Sequence, residues 1–392
     1  MDKRKITIIF LTIIVYILST GISYALFSKN PITSQVNVSS PLQSTPKDTT
    51  GRITFDQNLP KTEPCPLNGV MYSSKQKQWW EQHRPLGIMI ENHENARPQS
   101  GISAADVVYE AVAEGGITRF LTVFYCQDGG QVGPVRSART YFLDFISEYG
   151  ANPLYVHVGG ANTPGPADAL SQINDYEWGG YNDLNQFAVG FPTFWRDYNR
   201  LGQETATEHT MYSTTSKLWE YAKNQRKLTN VDSDGILWDK SFLPYSFKDD
   251  VVVSQRPEKQ TINIQFWSGY KQYAVEWVYD KTKNTYLRNN GGVLHMDKDT
   301  NKTLTAKNII VLSIKESNAN DGYENNLHLL YKTKGSGKAQ VFMDGNKING
   351  TWRKDSRTSR TLIFDSSGDP IKFDRGNLWF EVLPLDGEIV VK

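Results

Sequence analysis

Val107-Val108-Tyr109-Glu110-Ala111-Val112-Ala113-Glu114-Gly115-Gly116-Ile117-Thr118-Arg119-Phe120-Leu121-Thr122-Val123-Phe124-Tyr125-Cys126 reads as two strands joined by a tight turn. Each arm is apolar over strand length, and Glu114-Gly115-Gly116 supplies the reversal. Upstream, Leu86 to Glu91 reads as another buried strand, and downstream Asp128-Gly129-Gly130 closes the hairpin. Phe142, Phe145, Ile146 and Tyr149 recur at i, i+3, i+4, i+7, which predicts a helix to Tyr149 with Ser137 as its N-cap. Leu154 to Val158 is the next strand, Pro166 to Ile173 a short helix and Thr214 to Gln225 an amphipathic one. Strands mixed with helices predict a sheet with at least one helix-covered face.

Beyond Val231 the pattern changes to short alternating strands punctuated by Asp344-Gly345, Asn349-Gly350 and Asp386-Gly387. The fold class expected is α+β: a mixed α/β sheet domain over 61–230, then a mostly β domain over 231–392, a sandwich or barrel-like sheet, or one packed on the first sheet. Residues 28–60 are rich in Ser, Thr, Gln, Asn and Pro and read as a disordered linker. Ahead of them Ile6 to Phe27 carries no charge and follows Lys3, Arg4 and Lys5. That is long enough to span a bilayer as a single-pass membrane anchor, with the body outside the cytoplasm. The competing reading is a signal peptide cleaved after Ala25, which makes the protein secreted.

The 392 residues carry 43 Lys+Arg against 42 Asp+Glu, so no nucleic-acid partner is expected. Two cysteines, Cys65 and Cys126, allow one disulfide and exclude a thiolate metal cage. Export favours the disulfide, which would pin Pro64-Cys65-Pro66 to the strand ending at Cys126, over two free thiols.

The chemistry is carried by a bias among the cations. From Gln78 to Ser216 there are seven Arg and no Lys, whereas the remainder of the chain is Lys-rich. A guanidinium forks to two acceptors, so such a bias suits a fixed anion; internal ion pairs with Glu and Asp are the alternative. Arg136 and Arg139 would flank the first turn of the predicted helix, where the macrodipole disfavours cations and something negative should compensate. Arg119 lies on the adjacent strand, and Arg97 sits in the polar turn after Glu91-Asn92-His93. Together Arg97, Arg119, Arg136 and Arg139, with Asn92 and His209, are the candidate ligand-binding set. Asn92 and its neighbours read as a pocket rim or a hydrogen-bonded loop. His157 ends a strand before Gly159-Gly160, where open α/β sheets place ligands, and with Glu114 it is the acid–base candidate. A structural histidine is its other reading. No G-x-S-x-G, P-loop, dinucleotide or H-E-x-x-H motif occurs, which disfavours Ser hydrolase, NTPase and zincin readings.

The quoted segments Glu91-Asn92-His93, Ala96 to Gly101, Glu114 to Phe120, Gly133 to Arg139 and His157 to Gly160, with Asp344-Gly345 and Gly376 to Trp379 later, resemble the YerB-like family over roughly 61–392. The resemblance implies a bacterial, membrane-attached, envelope-facing protein of two units and unknown activity. Unlike the lipoprotein members, this chain has no Cys after its apolar leader, so a peptide anchor replaces the lipid. The order of strands and Gly-Gly turns is also similar to the LytR-CpsA-Psr enzymes, which transfer polymers from polyprenyl pyrophosphate. That similarity implies Arg119, Arg136 and Arg139 as a pyrophosphate clamp, with a divalent cation as cofactor in that case alone. The partners expected are therefore the membrane, an anionic cell-wall or lipid-linked ligand, and an envelope protein if the Arg set is structural.

Overall fold

Both arms of the hairpin form in the computed structural model, which describes residues 47–48 and 51–392. The predicted anchor over 6–27, the Ala25 cleavage site and most of the 28–60 linker lie outside the described residues. The linker's last part is held on the body: Arg52 Nε donates to Gly129 O (2.9 Å) and Ile53 N to Asp128 Oδ2 (2.8 Å). Among the described residues no helix is long and apolar enough to cross a membrane.

The hairpin and the strand beside it are β1 (Leu86–Glu91), β2 (Val107–Val112) and β3 (Thr118–Phe124). Every residue of the three is buried, as expected of apolar runs covered on both faces. Helix α1 (Thr140–Ile146) and strand β4 (Leu154–His157) follow, then α2 (Ala169–Asp175), β5 (Asp183–Asn185) and α3 (Thr215–Arg226). Thr214 caps α3 by accepting from Lys217 N.

The second half opens with β6 (Thr261–Gln265), β7 (Val275–Asp280) and β8 (Thr285–Asn290). It continues through β9 (Asn308–Ile314), β10 (Gly335–Met343), β11 (Asn346–Lys354), β12 (Leu362–Asp365), β13 (Leu378–Pro384) and β14 (Glu388–Val391). Strands β6, β7, β8 and β14 belong to a sheet of their own, with alternating burial that leaves one face open. The other five extend the first sheet, in the order β12-β11-β10-β9-β13-β2-β3-β1-β4-β5.

The joint is the parallel pair β13–β2, with Leu378 opposite Val107 and Glu381 opposite Glu110. Leu378–Pro384 is buried throughout, as is β2, so neither can stand as an exposed edge. The β-rich half therefore does not close on itself. The architecture is α+β with strands dominating.

Cys65 and Cys126 are joined, with Cα atoms 6.0 Å apart. Besides the β13–β2 pair, the halves are tied at Glu148, just after α1. It accepts from Lys354 Nζ (2.9 Å), Thr361 N (2.9 Å) and Tyr109 Oη (2.8 Å), and pairs with Arg360.

One local expectation fails. Ser137 does not cap a helix: α1 starts at Thr140 after Arg139, whose side chain makes no capping bond. Residues 134–138 are instead an extended strap across the ends of β1 and β4. Arg136 N donates to Met89 O (2.9 Å), Val158 N to Arg136 O (3.0 Å) and Ala138 N to Gly159 O (3.0 Å). Backbone bonds to two strands satisfy the groups that a helical turn would otherwise use.

Candidate functional site

The strap determines where the guanidinium groups go. Leaving β1 and β4, it carries Arg136 and Arg139 beside the tip of the β2–β3 hairpin, where Gly115 and Gly116 take φ of 58° and 75° to turn the chain. Arg119 enters from β3, opposite Glu91 in the β1–β3 register. The 3-10 turn Thr207–His209 adds Glu208 and His209, and the loop after β9 adds Tyr323 and Glu324 from the second half. These elements wall one cleft of about 520 Å³.

Its charges interlock. Glu114 receives Arg119 Nη2 at 3.4 Å and pairs closely with Arg139 Nε. Arg119 Nη1 also donates to Ser137 O (3.2 Å). Glu91 lies 3.4 Å from Arg136 Nε through one oxygen and 2.8 Å from His209 Nδ1 through the other. The bonding is incomplete: among the described residues the buried Nε atoms of Arg119 and Arg136 have no hydrogen-bond acceptor, and Arg136 Nε meets Glu91 only as an ion pair. Arg136 keeps 30% of its side chain exposed, so its outer nitrogens meet the cleft.

The electrostatics follow from this crowding. Burial, with Arg139 and Arg136 adding like charge, brings the Arg119 guanidinium down to about 10. Burial pushes the Glu114 carboxyl up, but Arg139 and Arg119 outweigh it and hold it below the usual range. Glu114 is thus held toward its carboxylate form as the counter-ion of two guanidinium groups.

His93 stacks on His209 with ring centroids 4.8 Å apart. Asn95 N donates to its Nδ1 (3.2 Å), which places the proton of the neutral ring on Nε2. Burial and the neighbouring His209 lower its pKa.

Arg119, Arg136, Arg139, Glu114 and His209 therefore converge. Three other candidates do not line this cleft. His157 is fully buried, its Nε2 on Asp183 Oδ1 (2.6 Å) and its Nδ1 on Gly159 O (2.5 Å), so both ring nitrogens are taken up by protein partners. It ties β4 to β5. Arg97 spends its fork on Asn92, with Nε to Oδ1 at 3.0 Å and Nη2 to O at 2.9 Å, and reaches Gln272 O at 3.0 Å. Asn92 in turn donates to Thr118 Oγ1 (2.7 Å). Both belong to a buried polar network that runs through Gln99, His295, Arg288 and Glu110.

Tyr323 and Glu324 lay outside the sequence reading. Their only local signal is the turn-forming run Asn320-Asp321-Gly322.

This chain, a strand-dominated α+β body, belongs to the YerB-like family. Residues 69–229 match the model described as "Protein of unknown function (DUF3048) N-terminal domain", and 262–380 match the corresponding C-terminal domain. The lipoprotein candidate YerB of Bacillus subtilis (strain 168) is 28% identical over 332 residues, 84% of this chain and 88% of that protein. The crystal structure of the Bacillus subtilis YerB protein superposes with a TM-score of 0.66 at 26% identity, over 84% of this chain and all of that one.

Proposed function

We propose that this chain is a membrane-attached, extracytoplasmic envelope protein whose cleft binds an anionic group, a phosphate, pyrophosphate or carboxylate, through Arg119, Arg136 and Arg139. The likeness to a lipoprotein candidate supports the location. The observation that carries the ligand is the convergence of three guanidinium groups on one open cleft, two of them with a buried Nε that has no hydrogen-bond acceptor among the described residues. Cations held this close repel each other, and an anion among them relieves that repulsion. Arg136 is the most open of the three and is the first contact.

A second reading, group transfer at the same cleft as in the LytR-CpsA-Psr enzymes, draws on one observation. His93 Nε2 has no hydrogen-bond partner among the described residues, and the ring lines the cleft. In that case His93, and not His157, moves the proton.

The test is calorimetric titration of the full chain, in non-ionic detergent, with inorganic phosphate and pyrophosphate, with and without Mg²⁺. Arg136→Ala should weaken binding by at least about tenfold, the share of one charge-assisted hydrogen bond of about 1.5–3 kcal/mol. Equal affinity in the variant refutes the clamp.

A further inference from the structure

Four carboxylates face the three guanidinium groups of the cleft, which is one more than neutralisation requires. They divide into two kinds. Glu91 and Glu114 are committed to Arg136, His209, Arg119 and Arg139. Glu208 and Glu324 are exposed, line the same cleft, and make no ion pair among the described residues.

They sit on two lips of the cleft carried by different elements. Glu208 is on the 3-10 turn beside the Arg136–Glu91–His209 group, whereas the loop with Glu324 adjoins the Glu114–Arg139 pair. A site built for a simple anion would leave its lips neutral or basic, because a carboxylate there repels the incoming charge.

The second lip also carries backbone strain. Asn320, Glu324, Asn325 and Asn326 have φ of 54°, 38°, 63° and 66°. Glutamate is a poor occupant of this left-handed region, and such strain concentrates at ligand sites. Turn geometry alone would be served better by Gly or Asn at that position.

Resting on the anion reading above, we infer that the ligand is zwitterionic. Its anionic group sits on Arg119, Arg136 and Arg139 at the floor, and its ammonium sits at the lips against Glu208 and Glu324. The cleft then binds a bare anion less tightly because of lip repulsion and a bare cation less tightly because of the floor, a selectivity that the three arginines alone cannot supply.

The experiment uses the full chain in non-ionic detergent and two probe pairs, each differing by an ammonium: phosphoethanolamine against methyl phosphate, and glycylglycine against N-acetylglycylglycine. In the wild type the ammonium-bearing member of at least one pair should bind about fivefold more tightly, the contribution of partly exposed ion pairs. In the double variant Glu208→Gln with Glu324→Gln that preference should vanish, while the bare anion binds as well as before or better. Both residues are exposed, so the variant tests recognition and not folding. Bare anions that bind without any ammonium preference overturn this inference and leave the anion reading standing. A preference that survives in the double variant overturns it equally. Binding of none of the four probes overturns both.

Discussion

Glu148→Gln should destabilise the whole body while barely changing its shape. The carboxylate is fully buried and is the shared acceptor for Lys354 Nζ at 2.9 Å, Thr361 N at 2.9 Å, Thr361 Oγ1 at 2.6 Å and Tyr109 Oη at 2.8 Å, besides its pair with Arg360. Lys354 is fully buried and Arg360 nearly so, so the amide leaves two cations with no counter-charge. Removing one partner of a buried pair costs about 3–5 kcal/mol. At about 2.1 cal/mol/K per residue, a described body of about 340 residues unfolds with an entropy near 0.7 kcal/mol/K, so about 4 kcal/mol lowers Tm by about 6 °C. Differential scanning calorimetry at neutral pH reads this directly. A companion, Glu148→Gln with Lys354→Met, removes one orphaned cation and should recover part of the loss. The effect also has a pH signature. Burial pushes the Glu148 carboxyl up, but Lys354 and Arg360 outweigh it and hold it below the ordinary value. The stability it contributes is therefore present above the ordinary carboxylate pKa and is lost as pH falls through the lower folded value. A Tm within 1 °C of wild type, or a double variant worse than the single one by the full cost of a second defect, refutes the reasoning.

Other consequences concern charge and covalent ties. Burial, reinforced by the charge of Glu110, drives the Glu381 carboxyl well above the ordinary range and so favours its neutral form, which accepts from Trp277 Nε1 at 2.8 Å. Its share of stability is complete below the unfolded-state pKa and is lost as pH rises, so Glu381→Gln should flatten the alkaline decline in Tm; an unchanged slope between pH 5 and 9 counts against it. Replacing Cys65 and Cys126 by Ala opens a loop whose ends are 61 residues apart and should cost about 4 kcal/mol by chain entropy, read as a drop in the denaturant midpoint that reductant reproduces in the wild type. A wild type insensitive to reductant argues against that tie.

Much of this protein is legible residue by residue. The hairpin arms, β1, β4 and α3 are marked by local signals: apolar runs of strand length, Gly-Gly turns, and a Thr placed to accept from the first turn of its helix. The Arg bias, read as a demand for directional cations, pointed to Arg119, Arg136 and Arg139, which do share one cleft. The same reasoning misplaced Arg97 and His157, because a polar residue at a strand end looks alike whether its partners are Asn92 and Asp183 or a ligand. Ser137 misled for a related reason: capping is a local preference of about 1 kcal/mol, and the strap gains several backbone bonds from strands distant in sequence.

Composition, periodicity and turn residues by themselves determined the element types, the α+β class and the kinds of side chain available for chemistry, since these depend on spacings of a few residues. Which strands lie side by side, and which charges meet, was decided only by the folded body. The β13–β2 pair joins residues about 270 apart, and Glu324 lines the same cleft as Arg139 from the far half of the chain. Such neighbours leave no periodic trace, because the free energy that selects them is the burial of two apolar strands against each other, a property of the pair and not of either segment.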